Sequence, residues 1–176
     1  MSLPPTIETA RLVLRPPRMD DAEAVFAYAS DEGVARYMVW RPHASIAEAE
    51  EFLRRVVAFP EDGSRLTWAV TLSGDDTLRG MIELRPKTSK ADVGYVLARR
   101  LWGNGYMTEA LRAVLDYAFE NPAMYRVWAV CDAENVASAR VMEKAGMSFE
   151  GVLRRYQVHP NLSREPRDAR CYARVR

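Results

Sequence analysis

Two glycines, Gly103 and Gly105, sit inside the stretch Arg99-Arg100-Leu101-Trp102-Gly103-Asn104-Gly105-Tyr106-Met107-Thr108-Glu109-Ala110. Glycine adopts positive φ at no steric cost and lets another molecule approach the main chain closely. A turn built on this pair aims several amide N–H groups inward, just ahead of a helix N-terminus with its partial positive charge. The chemistry on offer is an anion cradle, suited to a phosphate or pyrophosphate; a plain glycine turn is the alternative. A nucleotide-triphosphate loop is disfavoured, because the stretch lacks the Gly-Lys-Ser/Thr ending that phosphoryl transfer requires. Neither His43 nor His159, each beside a proline, has a metal partner in sequence, and Cys131 and Cys171 lack the paired spacing of a metal site or disulfide framework. No metal is expected.

The elements that must hold this turn follow from periodicity. Asp92 to Leu97 reads as the strand entering it, and Thr108 to about Glu120 as the helix leaving it, with Leu111, Val114, Leu115 and Ala118 on one face and Asn121-Pro122 as the stop. Upstream, Arg11 to Arg15 alternates as a half-buried strand, and Asp20-Asp21 caps a helix through Ser30. Val34 to Arg41 reads as an aromatic loop. Ser45 and Glu48 form a capping box for a helix that ends near Pro60. Leu66–Leu72 and Leu78–Arg85 make a hairpin around Ser73-Gly74-Asp75-Asp76. Downstream, Val127 to Cys131 is a covered strand, Asn135 caps a helix stopped by Gly146, and Phe149–Arg155 and Asp168–Val175 are the last strands. The fold class is α/β, a mixed sheet flanked by helices, in a single domain over residues 1–176.

With 176 residues and 48% hydrophobic content the chain can bury a substantial core. A net charge of +1 leaves no electrostatic footprint for nucleic acid or an anionic membrane. No apolar run approaches the ~20 residues that span a bilayer, and no export signal is expected. Cysteines in apolar segments suit reduced core thiols in a cytoplasmic protein. Excess arginine near the C-terminus (Arg154, Arg155, Arg164, Arg167, Arg170, Arg174, Arg176) fits either an acidic partner or a solvated strand edge.

Three segments together resemble the GNAT superfamily of acyl-coenzyme-A-dependent N-acetyltransferases, and within it the Rim-type ribosomal-protein N-terminal acetyltransferases. They are Thr9-Ala10-Arg11-Leu12-Val13-Leu14-Arg15-Pro16, Trp102 to Ala110, and Asn135-Val136-Ala137-Ser138 through Gly146. The general signature, Gln/Arg-x-x-Gly-x-Gly/Ala, is met by Arg100, Gly103 and Gly105. The Rim-type register, which we prefer, uses Trp102, Gly105 and Met107 and leaves Thr108-Glu109-Ala110 in the family's place. The resemblance implies a mostly antiparallel sheet splayed between its fourth and fifth strands, those ending at Leu97 and beginning at Val127. It implies that acetyl-CoA lies in the splay, with its pyrophosphate on Trp102, Gly103, Asn104, Gly105, Tyr106, Met107 and Thr108. Its pantetheine would bond to the backbone of Tyr95, Val96 and Leu97 and to Asn135. Transfer to a primary amine is then direct, without an acyl-enzyme.

Such a transfer needs a free amine, a stabilised oxyanion and a thiolate leaving group. A lysine-type amine, with a pKa of about 10.4, is mostly protonated at neutral pH; an α-amino group near 7.7–8.0 needs only a weak base. Glu83 is the candidate base, since Ile82 and Leu84 point to the opposite face of its strand. Burial in the splay would raise its proton affinity; a solvated strand carboxylate is the alternative. The oxyanion would take a backbone N–H at the end of the Tyr95–Leu97 strand. Many GNAT enzymes carry a tyrosine seven residues after the asparagine, but Met142 stands there. Ser138 is the nearest hydroxyl, read as a hydrogen-bond donor to sulfur or as a helix-surface serine. Glu109 is expected to support the helix N-terminus. Tyr37, Met38 and Trp40 line an acceptor pocket or belong to the core. The expected acceptor is a protein N-terminus, with a small-molecule amine or a non-catalytic acyl-CoA sensor as rivals, and the protein a monomer or homodimer.

Overall fold

The computed structural model describes residues 4–58 and 63–176. In chain order the elements are β1 (Ile7–Glu8), β2 (Leu12–Arg15), α1 (Ala22–Ala29), α2 (Glu32–Ala35), α3 (Ile46–Val57), β3 (Leu66–Leu72) and β4 (Asp75–Pro86). There follow β5 (Lys90–Leu97), α4 (Tyr106–Glu120), β6 (Arg126–Asp132), α5 (Val136–Lys144), β7 (Ser148–Gln157) and β8 (Arg167–Val175). The strands form one sheet in the order β1-β2-β3-β4-β5-β6-β8-β7.

Alternation along the strands divides the core between two faces. Trp68, Val70, Ile82 and Leu84 pack with Leu111, Val114 and Leu115 of α4 and Met142 of α5 on one face. Ala69, Leu78 and Met81 pack with Val25 of α1 and Ala49 and Leu53 of α3 on the other. Leu111, Val114 and Leu115 are wholly buried, and each contributes about 1.5–3 kcal/mol from the area it removes from water.

Every strand pairing is antiparallel except β5 with β6, which α4 joins as a crossover. That parallel pairing covers only Lys90↔Arg126, Ala91↔Val127 and Asp92↔Trp128. Beyond Asp92 and Trp128 the two strands part. The splay thus lies where expected in sequence but between the fifth and sixth strands, because β1, a two-residue strand too short to show a period, precedes the others.

Several local expectations shift. The four-residue α2 replaces the start of the expected loop; Asp31 caps it, accepting from the N–H of Gly33 at 2.8 Å and of Val34 at 3.3 Å. Ser45 makes no side-chain cap, and Glu48 accepts instead from the Ala44 N–H at 3.1 Å, one residue ahead of the expected box. Asp21 does not cap α1; its carboxylate binds the Arg15 guanidinium at 2.7 and 2.9 Å and the Arg18 N–H. The turn before β4 is tighter than expected, so that Asp75 and Asp76 belong to the strand and Gly74 supplies the positive φ of 82°. The expected stop of α3 at Pro60 lies outside the described residues. Asn135 and Gly146 bound α5 as expected, with Asn135 Oδ1 accepting from the Ser138 N–H at 3.2 Å and Gly146 at φ 91°.

Candidate active site

α4 begins at Tyr106, two residues earlier than its apolar periodicity suggests, because Gly105 ends the turn in the left-handed region at φ 78°. Gly103 is also left-handed, at φ 79°. A Cβ at Gly103 would meet no atom and one at Gly105 only the Arg11 guanidinium, so backbone conformation, not space, requires glycine here. The first helical bond runs from the Glu109 N–H to the Gly105 carbonyl. Among the described residues, the N–H groups from Gly103 to Thr108 have no protein acceptor, so the loop and first helical turn present a run of free donors at the positive end of a 15-residue helix. That is what an anionic diphosphate requires.

The N-terminal segment braces this cradle. Arg11 donates to the Asn104 carbonyl at 3.0 Å, lies over the Tyr106 ring and pairs with Glu109 at 2.7 Å. Glu109 also accepts from Thr9 Oγ1 and the Arg11 N–H. Burial lifts the Glu109 pKa, but these hydrogen bonds outweigh it and hold the carboxyl below its usual range. Glu109 is therefore an anchor for the loop.

The open edge of β5 follows from hydrogen-bond alternation. The Ala98 N–H binds the Arg79 carbonyl and the Lys87 N–H the Lys90 carbonyl, so even-numbered residues of β5 turn their amides toward β4. Val93, Tyr95 and Leu97 then face the splay, as an added extended chain needs. Two expected contacts change. Val96 spends its amide groups on Met81 across the ladder. Trp102 donates its indole N–H to the Leu97 carbonyl at 2.8 Å, which leaves Leu97 only its N–H.

The splay opens into a cleft of about 700 Å³ that passes through the sheet. Its α5 side carries Asn135, Ser138 and Cys131. Ser138 Oγ lies 2.8 Å from the Tyr95 hydroxyl, a contact the sequence does not announce. Burial pushes the Cys131 thiol up to about 11, with the Ser138 hydroxyl drawing it only partly back. Met142 is fully buried in the core and offers nothing to the cleft.

On the opposite face Glu83 does line the cleft, away from buried Ile82 and Leu84. Its surroundings are cationic rather than apolar. It pairs with Arg85 and with Arg65 at 3.5 Å, and accepts from Thr67 Oγ1 at 3.2 Å. Arg85 in turn binds Asp92 at 2.5 Å. Tyr37, Met38 and Trp40 join Phe52, Trp128, Tyr156 and His159 around this end. His43 sits between the Trp40 and Phe52 rings, and burial lowers its pKa. Asn161 closes the region by donating to the Ala35 and Trp40 carbonyls at 2.7 and 2.8 Å, which ties the β7–β8 connection to the loop after α2. The C-terminal arginines are largely ion-paired: Arg154 and Arg155 with Asp168 and Glu165, Arg167 with Asp132, Arg174 with Asp116.

Residues 11–148 match the acetyltransferase (GNAT) domain. The N-acetyltransferase YoaA of Bacillus subtilis, itself uncharacterised, is 32% identical over 98% of this chain and 97% of its own length. The spermidine N(1)-acetyltransferase of Escherichia coli is 24% identical over 80% of this chain and 74% of its own. A solved structure from Vibrio cholerae, assigned provisionally as a ribosomal-protein-serine acetyltransferase, superposes over 100% of both chains with a TM-score of 0.84 at 26% identity. The chain belongs to the GNAT family of acetyltransferases and is an acetyl-CoA-dependent N-acetyltransferase.

Proposed function

We propose that this enzyme acetylates the α-amino group of a protein N-terminus, in the cytoplasm. The observation that carries the reading is the state of Glu83. Both of its carboxylate oxygens are engaged by Arg85, Arg65 and Thr67, so much of its hydrogen-bond accepting capacity is already taken before an amine arrives. An α-amino group at about 7.7–8.0 needs little help to lose its proton, whereas a polyamine or lysine amine near 10.4 needs a base whose oxygens are free to receive it. The likeness to the Vibrio cholerae protein supports the same acceptor class, and the reduced, buried Cys131 and Cys171 support the compartment.

Gly103 to Thr108 hold the coenzyme's diphosphate through their N–H groups, and Val93, Tyr95 and the Leu97 N–H pair with its extended arm, steadied by Asn135. Bound there, acetyl-CoA supplies an activated acyl thioester. Glu83, directly or through water, accepts the amine's proton. An N–H on the open edge of β5 that the arm leaves free donates to the oxygen that gains charge. Ser138 donates a hydrogen bond toward sulfur. A thiol whose pKa resembles that of free cysteine, about 8.5, leaves without full protonation.

The test is thiol release from acetyl-CoA with peptides of varied N-terminal residue, beside spermidine and single amino acids. Release with peptides, and an acetylated N-terminus by mass spectrometry, is the expected result. Release with spermidine alone would move the enzyme to the small-molecule class. Coenzyme binding without release for any amine would make the chain an acyl-CoA sensor.

A further inference from the structure

Tyr95 stands on the open edge of β5, yet its side chain crosses the cleft to α5 and is partly buried against the core. Its hydroxyl donates to the Ser138 carbonyl at 3.1 Å and lies 2.8 Å from Ser138 Oγ, where either oxygen could be the donor. Ser138 is thus held from two sides, its N–H by Asn135 and its carbonyl and hydroxyl by Tyr95. Ser138 is the sole hydroxyl residue of α5, Val136–Lys144. A free serine on a helix tends to turn its hydroxyl onto a carbonyl of the preceding turn, where it would be lost to the cleft.

We propose that Tyr95 is a positioning residue that aims the Ser138 hydroxyl proton at the coenzyme's sulfur. The inference rests on the role given above to Ser138. Two proton arrangements are open to the pair. When the phenol donates to the Ser138 carbonyl, the serine proton points back at Tyr95 and the cleft receives no donor. When the phenol donates to Ser138 Oγ, the serine proton is released for a third atom, and a hydroxyl that accepts one hydrogen bond donates a stronger one. Two O–H rotations exchange these states, and negative charge gathering on sulfur favours the second. Tyr95 keeps its own proton throughout. Burial carries its ionisation well above the ordinary phenol range, with Ser138 offsetting only part of the rise. It therefore orients and does not act as an acid; the departing thiolate takes its proton from solvent.

Tyr95→Phe preserves the ring and removes only the hydroxyl. Its expected effect is a kcat lowered about 10-fold with the acetyl-CoA KM held within about 2-fold, the signature of an interaction made only as charge develops. The deciding measurement is the double variant. If Tyr95 acts through Ser138, then adding Tyr95→Phe to Ser138→Ala costs less than about 2-fold more. Multiplying losses, or an unchanged kcat for Tyr95→Phe alone, would overturn the proposal. Thermal melting of each variant separates loss of folded protein from loss of turnover. Should the parent enzyme release no thiol with any amine, the catalytic reading fails first and this inference falls with it.

Discussion

The two ends of the cleft are made of different material. The end we assign to the coenzyme is a run of main-chain N–H groups on six consecutive residues, Gly103 to Thr108, set by two left-handed glycines and braced by Arg11 and Glu109. The end we assign to the acceptor is made of side chains from the loop before α3, from α3, β4, β6 and β7, and from the connection to β8. A backbone site tolerates almost any side chain so long as its dihedral angles survive. A side-chain site changes with each substitution. One fold can therefore keep a fixed donor while its acceptor varies, and damage at one end should leave the other intact.

The sharpest break is at Gly105. Gly105→Glu forces a β-carbon into φ 78° and sets a carboxylate in the anion cradle. Loss of the helix-end attraction plus direct repulsion, on the order of 3 kcal/mol together, lowers coenzyme A affinity about 100-fold. Gly105→Ala carries the backbone strain alone, about 1–2 kcal/mol, and should lose less. Unchanged affinity of Gly105→Glu by calorimetry, with the protein still folded, would contradict the cradle.

Cys131 probes the middle of the cleft. With its thiol pushed up to about 11 by burial, its thiolate fraction at pH 8 is on the order of 100-fold below that of a free cysteine. Iodoacetamide should label it correspondingly slowly in a Cys171→Ser background, with a rate rising roughly tenfold per pH unit. Labelling at the rate of a free thiol would mean that the splay is wet to its floor. Ser138→Ala, one step nearer the acceptor, should lower kcat about 10-fold and leave the acetyl-CoA KM unmoved; an unaltered rate would remove Ser138 from the site.

Legibility in the sequence divides along the same line. Positive-φ glycines, helix stops and alternating strands are local, so the glycine turn, the Asn135 cap, the Gly146 stop and the splay between Leu97 and Val127 could be read from spacing and resemblance. Elements of about a single period could not: β1 is two residues and α2 four. The start of α4 was hidden because its first turn is fixed by a glycine cap, while periodicity speaks only for Thr108 onward. The contacts that give the site its character join distant residues, Arg11 to Glu109, Tyr95 to Ser138 and Asn161 to Trp40. They depend on sheet order and register, which no single segment encodes. Glu83 shows the limit well. Alternation gave its facing correctly, but its arginine neighbours come partly from another strand's edge, and they turn an expected apolar setting into a cationic one.

Asn161 gives the finest test of independence between the ends. Its amide donates to two carbonyls, of Ala35 and Trp40, and is the tie between the β7–β8 connection and the aromatic loop. Asn161→Ala leaves both carbonyls without that donor and costs about 1–3 kcal/mol of stability, a fall of several degrees in Tm. The acceptor wall loosens while the cradle, at the far end of β5, keeps its dihedral angles. Amine KM should therefore rise about 3- to 10-fold, the range expected when part of that energy is drawn from binding, while the acetyl-CoA KM stays constant. If both constants moved together, the wall and the cradle would share one rigid frame, and acceptor choice could not be altered without disturbing the coenzyme.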